Sequence, residues 1–178
     1  MTEPVRILLP DPCLVVLVGA AGAGKSTFAA RHLPSADVLA SDAYRERIGG
    51  DAADQRVTGP AFAALHRDAR RRLAAGRLTV VDATNVTARA RATLVRVAAE
   101  AGVPAVAIVL APPIEVVLAR NAGRQGRVVP EAVVRRHATE LDRALGGSGL
   151  EAEGFASVVV LKGDDGGAGA HVVIAGRS

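Results

Sequence analysis

The chain has 178 residues, 49% of them hydrophobic and 2% aromatic, with a formal net charge of +4. That length fits a single domain, 1–178, with a substantial core, and the lone cysteine, Cys13, excludes an internal disulfide framework. No apolar run reaches membrane-spanning length and residues 1–12 lack a secretory pattern, so a cytoplasmic location with no membrane partner is expected.

Leu14–Val18 reads as a buried strand. It runs into Gly19-Ala20-Ala21-Gly22-Ala23-Gly24-Lys25-Ser26, which fits G-x-x-x-x-G-K-[ST], the phosphate-binding loop, and a helix over Ser26–His32 follows, closed by Pro34. Asp37–Ser41 is a short second strand ending at Asp42, and a polar stretch rich in Gly and Asp spans Arg45–Thr58. Pro60 suits the first position of a helix that carries Phe62, Leu65, Ala69 and Leu73 at core spacing and stops at Gly76. Leu78–Asp82 is a third strand. Thr87 caps a helix with Leu94, Val97, Ala98 and Ala101 inward, ended by Gly102. Ala105–Leu110 is a fourth strand, followed by a short helix after Pro113 and a basic, polar segment, Asn121–Val129. Pro130 opens a helix with Val134, His137, Leu141 and Leu145 on one side, and Ser157–Leu161 is a fifth strand. Gly163–Ala170 is a loop, and Val172–Ala175 is a terminal strand or an ordered tail.

Strands alternating with helices imply an α/β fold of the P-loop NTPase type, a mostly parallel sheet with helices on both faces. Residues 114–145 would form a helical, Arg-bearing lid. Sites in such folds lie at the carboxyl ends of the strands, which puts the glycine loop, Asp42 and Asp82 on one rim.

The chemistry follows from residue types. Backbone N–H groups over Gly22, Ala23, Gly24, Lys25, Ser26 and Thr27 can wrap a polyphosphate, because glycine lets the backbone approach closely. Lys25 would reach the β- and γ-phosphates of an ATP or GTP donor, and the Ser26 hydroxyl would ligate Mg²⁺, with Asp82 acting through water. Asp42 is the candidate general base for an acceptor hydroxyl; the same residue type also caps helices. Arg45, one turn on, can grip an acceptor phosphate or simply face solvent. Arg120, Arg124 and Arg127 are spaced to share one side of a helical lid that closes over the donor, or they form a solvated basic loop. Asp82 is not followed by the Glu of a motor ATPase, and no N-K-x-D guanine motif is present, so transfer is favoured over hydrolysis. The four histidines have no ligand company. The basic residues are nearly all Arg, which suits phosphate contacts, and the few aromatics argue against base-stacking platforms, so a nucleic acid would be held mainly by its backbone.

The chain resembles the 5′-kinase domain of bacterial polynucleotide kinase-phosphatases, which act in RNA end repair. The resemblance rests on the strand and glycine loop through Ala29, Ser41-Asp42 with Arg45, Asp54-Gln55, Val57-Thr58-Gly59, Leu78 to Val86, Arg120-Asn121 with Arg124 and Arg127, and Arg136-His137. It implies transfer of the γ-phosphate of ATP or GTP to the 5′-hydroxyl of a single-stranded RNA or DNA end. By this resemblance Lys25, Asp42, Arg45 and Arg120 are the catalytic group: Asp42 as base, Arg45 as clamp on the acceptor's neighbouring phosphate, Arg120 as the lid arginine at the donor. Arg124 and Arg127 look like further lid contacts. The family's phosphatase and ligase modules would lie in a longer parent chain, if there is one. A small-molecule kinase of similar architecture and a non-catalytic nucleotide-binding module are the competing readings.

Overall fold

The computed structural model describes residues 5–33, 37–125, 127–147, 149–163 and 170–174. In chain order its strands are β1 (Arg6–Leu9), β2 (Leu14–Val18), β3 (Asp37–Ala40), β4 (Thr79–Asp82), β5 (Ala105–Leu110), β6 (Ser157–Leu161) and β7 (His171–Ile174). The helices are α1 (Lys25–His32), α2 (Ser41–Gly49), α3 (Thr58–Ala74), α4 (Ala88–Glu100), α5 (Ile114–Ala122) and α6 (Glu131–Gly146).

Strands β2 to β6 make one parallel sheet in the order β3-β4-β2-β5-β6. Successive side chains of a strand point to opposite faces. Leu14, Val16 and Val18 of β2 therefore enter one core cluster, with Leu65 and Leu73 of α3 and Leu94 and Val97 of α4. Val15 and Leu17 enter the other, with Phe28 of α1. Both faces are covered, which is why β2 and β5 read as unbroken apolar runs.

The register places the rim. Asp82 pairs across the sheet with both Leu17 and Ala40. The glycine loop starts two residues past Leu17 and Asp42 lies two past Ala40, so all three features leave the sheet at one level. β4 and β5 also lie on opposite sides of β2. That reversal opens the crevice in which such folds bind ligands.

Three expectations need correction. Strand β1 has no counterpart in the sequence reading; it pairs in parallel with β7 in a separate two-stranded sheet, burying Ile7 and Leu9 and leaving Leu8 outward. The stretch from Arg45 is helical as far as Gly49 and ends on Gly50, whose φ of 79° suits a glycine cap. Its inward side is Ser41, Tyr44 and Arg45, too polar for an apolar period to show. The described residues of the basic segment beyond Ala122 are not helical: Arg124 and Arg127 lie in the connection between α5 and α6. Thr87 does cap α4, accepting from the Ala90 N–H at 3.3 Å. Pro34, Gly126 and most of Gly163–Ala170 fall outside the described residues. No helix among the described residues is long and apolar enough to cross a membrane.

Candidate phosphate-transfer site

The glycine loop is tight because its neighbours leave no room. A Cβ on Gly19 would stand 2.6 Å from the Leu110 carbonyl oxygen, and one on Gly22 would stand 2.6 Å from that of Val117. Gly22 and Gly24 also have φ of 91° and 98°, a region L side chains rarely adopt. Gly22→Ala is therefore expected to cost about 1–3 kcal/mol of stability, read as a lower denaturation midpoint, and to weaken nucleotide binding by displacing the loop from α5.

Lys25 is buried at the start of α1. Its Nζ donates to the carbonyl oxygens of Gly19 and Ala20, both at 2.9 Å. Burial pulls its pKa down to about 8; Asp82 and Asp42 oppose that shift and Arg124 adds to it. The Ser26 hydroxyl donates to Asp82 Oδ2 at 2.6 Å. A hydroxyl and a carboxylate oxygen at that separation are the hard oxygen donors that Mg²⁺ takes beside substrate phosphates. Among the described residues there is no cluster of three or more His, Cys, Asp or Glu that could hold a metal. Ala23 differs from the other loop residues. Its side chain is in the core with Phe28 and its N–H donates to the Ala20 carbonyl at 3.1 Å, so it shapes the loop.

A cavity of about 540 Å³ lies over this loop. Gly22, Gly24, Lys25, Ser26, Thr27 and Asp82 border it on the sheet side. Asp42 and Arg45 border it from α2, Arg120 from α5, and Arg124 and Arg127 from the connection after α5. Asp42, in the first turn of α2, is not its N-cap, which is Ala40. Its carboxylate accepts from Arg45 Nη2 and has Arg127 Nη1 at 3.6 Å. Arg45 is buried, and its Nε donates to the Ala52 carbonyl at 3.0 Å. Two of its five donors are thus engaged.

Several site residues were given no role of their own by sequence reasoning. Asn121 clasps the basic connection: its Nδ2 donates to the Val129 carbonyl at 2.7 Å and its Oδ1 accepts from the Val129 N–H at 3.1 Å. Ala20 and Ala21 of the glycine loop pack with Val117, Val129 and Val134, which docks α5 and the start of α6 on the loop. Arg91, fully buried, donates to the carbonyls of Asn85 and Val86 and pairs with Glu153 at 2.6 Å, while Asn85 Nδ2 donates to the Leu17 carbonyl at 2.8 Å. The segment after Asp82 is thereby fixed from both sides. His137 also borders the cavity, and burial lowers its pKa, with Arg136, Lys25 and Arg127 adding and Glu140 opposing. A lysine followed by serine at the end of a glycine loop is legible as a motif; a buried arginine 62 residues from its partner is not.

Solved kinases share this architecture. The structure of the Pnkp1/Rnl/Hen1 RNA repair complex is similar over 75% of this chain and 45% of that chain, at 23% identity and a TM-score of 0.66. The APS kinase CysC of Mycobacterium tuberculosis, in complex with AMPPNP and APS, matches over 64% of this chain and 70% of its own, at 24% identity and a TM-score of 0.54. A sugar kinase from Janibacter sp. HTCC2649 matches over 86% of each chain, at 22% identity and a TM-score of 0.58. At these identities the likeness is one of fold, and this chain spans less than half of the RNA-repair chain it matches. A family model described as an AAA domain, AAA_33, covers residues 14–144. That is well over half of the sequence, so the chain belongs to this AAA domain family.

Proposed function

We propose that this protein is a polynucleotide 5′-hydroxyl kinase of nucleic-acid end repair, using ATP or GTP and Mg²⁺ to phosphorylate a single-stranded RNA or DNA end. The observation that carries this reading is the placement of Asp42. Its carboxylate is held by Arg45 and Arg127 in the same cavity as Lys25, Ser26 and Asp82. A hydroxyl docked there gives its proton to Asp42 as its oxygen bonds to the γ-phosphorus and the bond to the β–γ bridging oxygen breaks. Lys25 and the lid arginines, Arg120, Arg124 and Arg127, offset the charge on the transferring group. Ser26 and Asp82, together with the donor, would hold a Mg²⁺ ion, which would supply further neutralisation of the phosphates. Free donors of Arg45 are available to the phosphate next to the reacting end.

The test is transfer of labelled γ-phosphate to a panel of 5′-OH RNA and DNA oligomers beside sugars, nucleosides and small alcohols. Labelled oligomers, with small alcohols left unlabelled, are expected. Label confined to a small acceptor would make this a small-molecule kinase, as the sugar- and APS-kinase likenesses allow. ADP release with no labelled acceptor would leave only nucleotide binding and hydrolysis.

A further inference from the structure

Beside the main cavity lies a second one of about 250 Å³, between the loop after β4 and helix α6. The two share Phe62, Thr84, Arg136 and His137 in their walls. The chain has three phenylalanines and one tyrosine. Phe28 and Phe155 are buried in the two cores, and Tyr44 is tied to Asp68 by a 2.6 Å hydrogen bond with Arg47 over its ring. Phe62, on the first turns of α3, is half-buried and borders both cavities. Three buried side-chain atoms without a hydrogen-bond partner belong to residues bordering these cavities: Thr58 Oγ1 at the main one, Asn85 Oδ1 at the side one and His137 Nδ1 at both. Asn85 is 3% exposed, and its amide nitrogen is already committed to Leu17, so Oδ1 is its acceptor atom. Buried polar atoms left unpaired are costly, and a ligand that pairs them recovers that cost.

An aromatic wall and a set of unpaired polar atoms ask for one kind of guest: a flat heterocycle with a π face and a polar edge. A phosphate would use neither, and Lys25 and the lid arginines already provide for phosphates across the main cavity. We infer that this side cavity receives the 5′-terminal nucleobase of the acceptor, its face against Phe62 and its polar edge toward Asn85 and His137. The inference rests on the polynucleotide-kinase reading and deepens it: a strand gripped mostly by its backbone also has its last base stacked. Recognition of a face is tolerant of base identity, because every base has one.

The experiment compares oligomers that differ only at the 5′ end, one with its terminal base and one with an abasic sugar carrying the same 5′-hydroxyl. For the wild-type protein the abasic end is expected to lose about tenfold in kcat/KM, carried by KM. In Phe62→Leu, which keeps apolar bulk and loses the ring, the two ends should differ by less than about twofold; Phe62→Tyr, which keeps the ring, should restore the gap. Equal kcat/KM for both ends in the wild type, or a gap undiminished in Phe62→Leu, overturns the stacking assignment while leaving the kinase reading intact. If Phe62→Leu does not fold, the wild-type comparison and Phe62→Tyr still decide. If the wild type phosphorylates neither oligomer, the kinase reading falls and this inference with it.

Discussion

Asp42→Asn is expected to lower the turnover number for a 5′-OH oligomer by about 10²–10⁴-fold, the usual contribution of a positioned general base. The amide matches the carboxylate in size but neither takes the proton nor pairs as an ion with Arg45 and Arg127. Donor affinity, measured by nucleotide binding without acceptor, should stay within about threefold of the wild type, because the donor's cradle is the separate set Gly22 to Thr27. The split is the informative part. A variant that loses turnover and donor affinity together would indicate that Asp42 organises the whole cavity through the two arginines. A variant that keeps its turnover would remove Asp42 from the chemistry and return it to the structural helix position that its residue type also suits. Arg45→Ala is a useful companion. It removes the group whose Nε holds Ala52 and whose Nη2 holds Asp42, so part of its effect would be displacement of the base.

The parallel sheet and the nucleotide loop were legible because their signals are local. Leu14–Val18 is apolar throughout because helices cover both faces, and the glycine loop must follow it directly. The rim was legible too, since Asp82 ends a strand, Asp42 follows two residues past the end of its neighbour, and parallel register aligns strand ends. What was hidden depends on distance. Helix α2 buries a tyrosine and an arginine, so its inward face carries no apolar period; it is held by Asp68 and Ala52, which lie outside it. Phe62 repeats with Leu65, Ala69 and Leu73 and was read as core with them. Phe62 does pack against that core; its place near the start of α3 also puts it at the cavity, while Leu65 and Leu73 lie fully inside. The spacing of Arg120, Arg124 and Arg127 suggested one helix, yet α5 stops at Ala122 and the Asn121 clasp holds the two later arginines in a loop. All three still border the cavity, since a loop pinned at both ends can present what a helix would.

Lys25→Met is expected to reduce kcat/KM by about 10²–10³-fold, the scale for losing one preorganised charge-stabilising donor at a transferring group. The same lysine makes a prediction about pH that needs no acceptor. Its pKa in the folded protein is about 8, below the ordinary 10.5, because burial disfavours the ammonium. An unfolded chain keeps the ordinary value, so between about pH 8 and 10.5 the unfolded state binds the extra proton. Stability from this group therefore rises with pH across that window, and below pH 8 the full penalty of the buried charge is present. The unfolding free energy of the wild type, measured against Lys25→Met by denaturant at pH 7.5 and 9.5, should accordingly gain on the variant at the higher pH. Nucleotide binding runs the other way. Phosphates favour the ammonium, so binding to the wild type should take up a proton above pH 8 and weaken as pH rises, which calorimetry in buffers of different ionisation enthalpy would show. A wild-type-to-variant difference independent of pH, together with no proton uptake, would mean that the ammonium titrates at its ordinary value; the loop would then hold a permanently charged lysine, and burial would exact no cost that the donor could relieve.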